Sequence, residues 1–285
     1  MNKFVRSAGL GCSALALALA CGVSAAAADL KEKTTEAFDK YVAATEQRLA
    51  EEVKPGGRFL YPDGPVPFHS EEMRDAYNRL KRGEILIARQ ESKLNGKDVD
   101  VPDGMVHHWV GIVFIPGVNL AQVLDVAKDY DHRAELYKPD VIAAHTIWHQ
   151  DDNYRIFMRL YQRRFTTVMF NTDYAIHWAT LDANRVYCDS ISTRVTEVKD
   201  PSHPDGPEEQ VGQGHGYLWR LNTYWRFEEK DGGVYVQLEA LSLTRDIPYG
   251  LGWLIKPLVT KIPKQSLDRA LGRTREAVLE RSHAK

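Results

Sequence analysis

The sequence predicts an α+β fold, in which an antiparallel sheet forms from a run of consecutive strands and the helices are set apart toward the chain ends. Three observations predict it. Residues 216–245 read as a hairpin with one apolar face, further strand-like stretches precede it, and an amphipathic helix closes the chain.

The hairpin reads GYLWRLNTYWRFEEKDGGVYVQLEALSLTR. Tyr217, Trp219, Leu221, Thr223, Trp225 and Phe227 occupy alternate positions, and successive strand residues point to opposite faces. Lys230-Asp231-Gly232-Gly233 marks the turn, because glycine reaches positive φ without a Cβ clash. Folding there sets Phe227 near Val236, Trp225 near Leu238 and Thr223 near Ala240. A slip of one residue would move the tryptophans into water, so the pattern specifies the register.

Lys and Arg number 37 against 39 Asp and Glu in a chain of 285 residues, so no basic excess points to nucleic acid. The length fits one large domain, or one domain with an extension. Residues 1–28 read as a secretory signal peptide, with Lys3 and Arg6 at the start, an apolar run after them, and small residues before Asp29. The expected location is therefore periplasmic or secreted. An alternative is a lipid anchor at Cys21, although a lipoprotein signal normally has Leu where Ala18 stands. Of the three cysteines only Cys188 lies beyond the leader, so the mature chain has no intrachain disulfide to form.

Residues 29–83 read as a helical N-terminal extension. Phe38, Tyr41, Val42, Thr45 and Leu49 keep helical spacing, and Pro55-Gly56-Gly57 ends that helix. Ser70 caps a second helix, with Glu71 and Glu72 at its positive end. The main domain then spans residues 84–285. Strands are expected at 84–91 and 106–115, a helix from Leu120, and strands at 141–149, 154–162, 165–171, 174–180 and 185–198. Residues 200–214, rich in Pro, Gly and acid, form a surface loop, and the last helix starts at Pro263, with Leu267, Ala270, Leu271, Thr274 and Val278 as its apolar stripe.

This order, and in particular GYLWRLNTYWRFEEKDGGVYVQLEALSLTRDIPYGLGWLIKP, resembles the START-like (SRPBCC) helix-grip superfamily, and closely the secreted bacterial members whose activity is unassigned. The resemblance covers residues 106–279. It implies a curved antiparallel sheet wrapped on the C-terminal helix, with a cavity between them for an apolar or amphipathic ligand. The superfamily includes lipid carriers, hormone receptors and cyclase-like enzymes, so the fold does not choose among them.

Candidate sites follow. His145 and His149 share a strand face about 13 Å apart, too far to chelate one ion, and His107 and His108 point to opposite faces, so no metal site is expected. No GxSxG, HExxH or CxxC occurs, and neither a catalytic residue nor a cofactor is assigned. Tyr224, Arg226 and Glu239 fall on the face opposite the tryptophans, where a solvated cross-strand charge pair is the expected arrangement. Trp219, Trp225, Leu238, Met158 and Phe170 are the cavity-wall candidates, with a solid core as the competing arrangement. Asp131, His132, Arg133 and Tyr137 fall beside the expected mouth, and His132 and Tyr137 are taken as ligand-binding candidates. The apolar patch around Trp253 and Leu254, beside Lys256, is a candidate for transient membrane contact. The resulting expectation is a carrier for a hydrophobic, lipid-like or aromatic small molecule. The alternatives are a cyclase-like enzyme using the same cavity, and a partner-binding protein docking through its N-terminal helices.

Overall fold

The computed structural model describes residues 28–64, 70–163, 167–246 and 252–283, and the backbone alone for residues 70 and 252–262. Most of the expected leader, Cys21 included, and the side chains of Trp253 and Leu254 lie outside the described residues. Helices α1 (Glu32–Glu52) and α2 (Ser70–Lys81) precede strand β1 (Leu86–Arg89), the short hairpin β2 (Lys93–Leu94) and β3 (Lys97–Asp98), and β4 (Gly104–Pro116). Helices α3 (Leu120–Ala127) and α4 (Arg133–Leu136) lead into β5 (Val141–Gln150), β6 (Asn153–Arg163), β7 (Thr167–Thr180) and β8 (Arg185–Glu197). Strands β9 (Arg220–Lys230) and β10 (Gly233–Arg245) and helix α5 (Gly252–His283) complete the chain.

Eight strands form one antiparallel sheet in the order β1-β4-β10-β9-β8-β7-β6-β5. Strands β5 to β10 each pair with their neighbour in sequence, so tight turns suffice between most of them. β4 pairs with β10, and the chain crosses by way of α3 and α4 to reach β5 at the far edge. Asn119 starts the crossing: its side chain accepts from Gln122 N while the Gln122 side chain accepts from Asn119 N, a reciprocal cap. The hairpin register is the one the alternation predicts, with Phe227 opposite Val236, Trp225 opposite Leu238 and Thr223 opposite Ala240.

Helix α5 packs on the inner face of the sheet against β4 and β10, which is the helix-grip arrangement that the resemblance implies. Gly111 of β4 permits the contact. A Cβ there would stand 2.7 Å from Leu271 Cδ1 and 3.1 Å from Leu267 Cγ. Leu267, Leu271 and Val278 of α5 join Val113, Ile115, Phe227, Val234 and Val236 in one buried cluster. Burial of each such side chain contributes roughly 1.5–3 kcal/mol.

Several expectations are corrected. The last helix begins at Gly252, so Pro263 lies inside it rather than at its first turn. Residues 165–171 and 174–180 do not make two strands: β7 runs unbroken through Asn171-Thr172-Asp173, and the irregularity falls opposite, in β8 between Ser192 and Arg194. No proline or glycine interrupts that part of β7, and Asn171 and Thr172 are buried with bonded side chains.

The largest correction concerns the outer face of the sheet. Its polar residues are not solvated: Arg226 is 1% exposed and Glu239 2%. Helix α1, the segment after it and α2 cover that face. Arg226 Nη1 donates to Phe59 O at 2.7 Å and Nη2 to Glu52 Oε2 at 2.7 Å. Gln237 Oε1 accepts from Tyr61 N at 2.6 Å, and Tyr224 OH donates to Glu46 Oε1 at 2.9 Å. Phe59, Leu60 and Leu80 pack on Ile112, Phe114 and Tyr235. The sheet is thus the middle layer of three, with one apolar interface and one that mixes polar and apolar groups.

Candidate functional site

Between the inner face of the sheet, the α3–α4 crossing and α5 lies a cavity of about 160 Å³. Strand alternation supplies most of its wall. Ile156 and Met158 come from β6, Tyr174, Ile176 and Trp178 from β7, Cys188 and Ser190 from β8. Leu221, Thr223, Trp225 and Phe227 come from β9 and Leu238 from β10. The crossing contributes Ala127, Tyr130, Arg133 and Tyr137, and Ala270 and Thr274 of α5 close the opposite side.

The wall is rich in rings. Trp178 and Phe227 stack at 5.6 Å between centroids and 26° between planes, and Trp225 lies 6.1 Å from Phe227 at 6°. Most of the polar atoms in the wall are occupied. Trp178 Nε1 donates to Tyr130 OH at 2.9 Å. Thr274 Oγ1 donates to Ala270 O at 2.8 Å, which leaves Tyr137 OH as donor to Thr274 Oγ1 at 2.9 Å. Burial pushes the Cys188 thiol up, away from the thiolate that would make it a nucleophile.

Two groups differ. The Arg133 guanidinium sits 4.7 Å from the Tyr130 ring centroid and 5.4 Å from that of Tyr137. Its Nη2 donates to Ala127 O at 2.8 Å, while its buried Nε has no partner. The Tyr174 hydroxyl is buried and makes no hydrogen bond; the neighbouring Thr172 Oγ1 donates to Met158 O. Unpaired buried donors of this kind cost about 1–3 kcal/mol each.

The expected site residues divide. Trp225, Leu238, Met158 and Tyr137 line the cavity. Phe170 is buried but is not among the lining residues. Trp219 is on the other side of the sheet, in a cluster with Phe38, Tyr41, Tyr224, Leu241 and Leu243. The alternation that placed it beside Trp225 does not reach it, because β9 starts at Arg220 and the chain before it turns at Gly214 and Gly216 with positive φ. Tyr217 is exposed and stacks on His215. His132 is exposed too and is not among the lining residues; its hydrogen bond to Asp129 raises its pKa. Asp131 accepts from Thr146 N and ties the crossing to β5.

No family model matches the sequence, and no curated protein matches it. Among solved structures the chain is similar to a STAR-related lipid transfer protein from Xanthomonas axonopodis, at 17% identity and a TM-score of 0.40, over 66% of this chain and 98% of that one. It is similar to human STARD10 at 11% identity and a TM-score of 0.42, over 78% of this chain and 85% of that one. The Zhui aromatase/cyclase from a Streptomyces species matches at 7% identity and a TM-score of 0.42, over 62% of this chain and 96% of that one. Each is a likeness of fold, at identities too low to carry a function across.

Nothing in the sequence alone singles out Tyr130, Tyr174 and Trp178 as wall residues. The period-2 spacing of Tyr174, Ile176 and Trp178 was the available signal, but that stretch gave no indication of which face turns inward. Thr274 and Ala270 belong to the stripe already assigned to the last helix, and only the packing of α5 brings them to the cavity.

Proposed function

We propose that the protein is a binding protein for a small hydrophobic molecule, held between the sheet and helix α5. The observation that carries this reading is the apolar cavity of about 160 Å³, walled by Trp178, Trp225, Phe227 and Leu238. A cavity of roughly 150 Å³ in another protein stays dry and accepts benzene, so this one suits a single ring or a short chain. A long lipid chain would have to leave part of itself outside. Among the described residues the lining holds no carboxylate and no histidine; its polar groups are tyrosine, serine and threonine hydroxyls, the Cys188 thiol and the Arg133 guanidinium. Among the described residues no helix is long and apolar enough to cross a membrane. We assign the protein to the periplasm or the cell exterior on the leader-like residues 1–28.

A thermal-shift and tryptophan-emission titration tests the binding reading, using toluene, indole and short alkanols on delipidated protein. A saturable rise in Tm with a matching emission change is the expected result, since a ligand that binds only the folded state stabilises it by mass action. No response from any of these probes overturns the reading. Sequencing the N-terminus of the exported protein tests the location: a mature chain starting close to Asp29 is expected, and a chain that keeps Met1 overturns it.

A further inference from the structure

Most of the wall is apolar, and two of its polar side chains carry buried donors without a partner. Arg133 lies where the α3–α4 crossing borders the cavity, half-buried, with its guanidinium beside the faces of Tyr130 and Tyr137. It makes no ion pair among the described residues, and its Nε is buried without a partner. Tyr174 is 1% exposed, lines the same cavity, and its hydroxyl is likewise unpaired. Burial pushes that hydroxyl up to about 12, against the lowering effects of Thr172 and then of the nearby Arg133 charge, so it remains a donor at neutral pH.

Buried donors without acceptors on the cavity wall call for an acceptor from the ligand. A cationic guanidinium favours an anionic acceptor, and a carboxylate can take a planar, paired contact from it. The stacked rings of Trp178, Phe227 and Trp225 favour a flat apolar body, and the volume admits one ring. We propose that the ligand is a monocyclic aromatic carboxylate, its ring inside the cavity and its carboxylate held by Arg133 and the Tyr174 hydroxyl. This rests on the reading that the cavity takes an apolar ligand, and adds the headgroup to it.

Three probes of similar size separate the two claims: toluene, phenylacetamide and phenylacetate, titrated by calorimetry and tryptophan emission. The expected result is binding of all three, with phenylacetate preferred over its neutral amide by at least about tenfold, the ratio to which about 1.4 kcal/mol corresponds. That preference should shrink toward unity in Arg133→Gln and fall in Tyr174→Phe. Tyr174→Phe keeps the ring and the packing, so it reports on the hydroxyl even if Arg133→Gln does not fold. Toluene and the amide binding as well as phenylacetate would overturn the headgroup proposal and leave the apolar reading standing. Binding of none of the three would overturn both. An acid preference that survives in Tyr174→Phe and in Arg133→Gln at full strength would place the anion elsewhere and also overturn the proposal.

Discussion

His108 Nε2 and Glu239 Oε1 lie 2.6 Å apart beneath helix α1, both almost fully buried. Glu239, held as a carboxylate, only accepts, so His108 Nε2 donates to it; Tyr41 OH, which accepts from Ser92 N at 2.9 Å, lies 2.9 Å from His108 Nδ1 on the other side of the ring. Arg48 of α1 closes the arrangement on the same carboxylate oxygen. Burial alone would raise the Glu239 pKa, but His108, Arg48 and Arg226 together hold it down at about 2.

Acid should therefore lower the stability of the fold over two successive pH windows. His107 is pulled down to about 4 by burial and the nearby Arg89, from an ordinary 6.5. In the window between those values the unfolded chain binds more protons, so stability is lost as pH falls from 6.5 toward 4. Glu239 acts the same way lower down: its contribution is whole above its ordinary 4.5 and is lost as pH falls toward 2. Denaturant melts across this range should show both losses, with the upper one reduced in His107→Gln. At neutral pH, Glu239→Gln should cost about 1–3 kcal/mol, because His108 and Arg48 lose the carboxylate they share, while Arg48 and Arg226 keep Glu52.

Deleting residues 29–53 should prevent folding. It removes Arg48, Glu46 and Glu52 and uncovers Arg226, Tyr224 and Glu239. Circular dichroism and gel filtration of the truncated chain check this. A soluble, cooperatively melting product would show that the three-layer packing is dispensable.

Gly111→Ala should loosen the grip of the sheet on α5. The added methyl would stand 2.7 Å from Leu271 Cδ1, which must shift. The expected loss is about 1–3 kcal/mol, the usual cost of overpacking. Leu271→Ala at the same contact should cost about 2–5 kcal/mol by leaving a void. Urea melts of the two single variants provide both values.

Tryptophan emission should sort the indoles. Trp178 and Trp225 border the cavity and Trp219 packs under α1. The response to a bound aromatic probe should persist in Trp219→Phe and diminish in Trp225→Phe. The opposite pattern would place the ligand on the outer face.

Much of this architecture was legible because it depends on local periodicity. Alternation in residues 220–245 determined the strands, their register and which face holds Trp225 and Leu238, since a one-residue slip would reverse every side chain. The helical stripe of Leu267, Leu271 and Val278 likewise identified the gripped helix. Periodicity says that a face is polar, but not whether water or another element meets it. Tertiary packing alone put α1 over Arg226 and Glu239, and turned an expected solvated pair into a buried network. It also sent Trp219 to the opposite side of the sheet from Trp225, because a chain that turns just before a strand no longer obeys the strand's alternation. The cavity arises the same way: its unpaired donors, on Arg133 and Tyr174, come from the crossing and from β7, elements far apart in the chain that meet only when the sheet closes around α5.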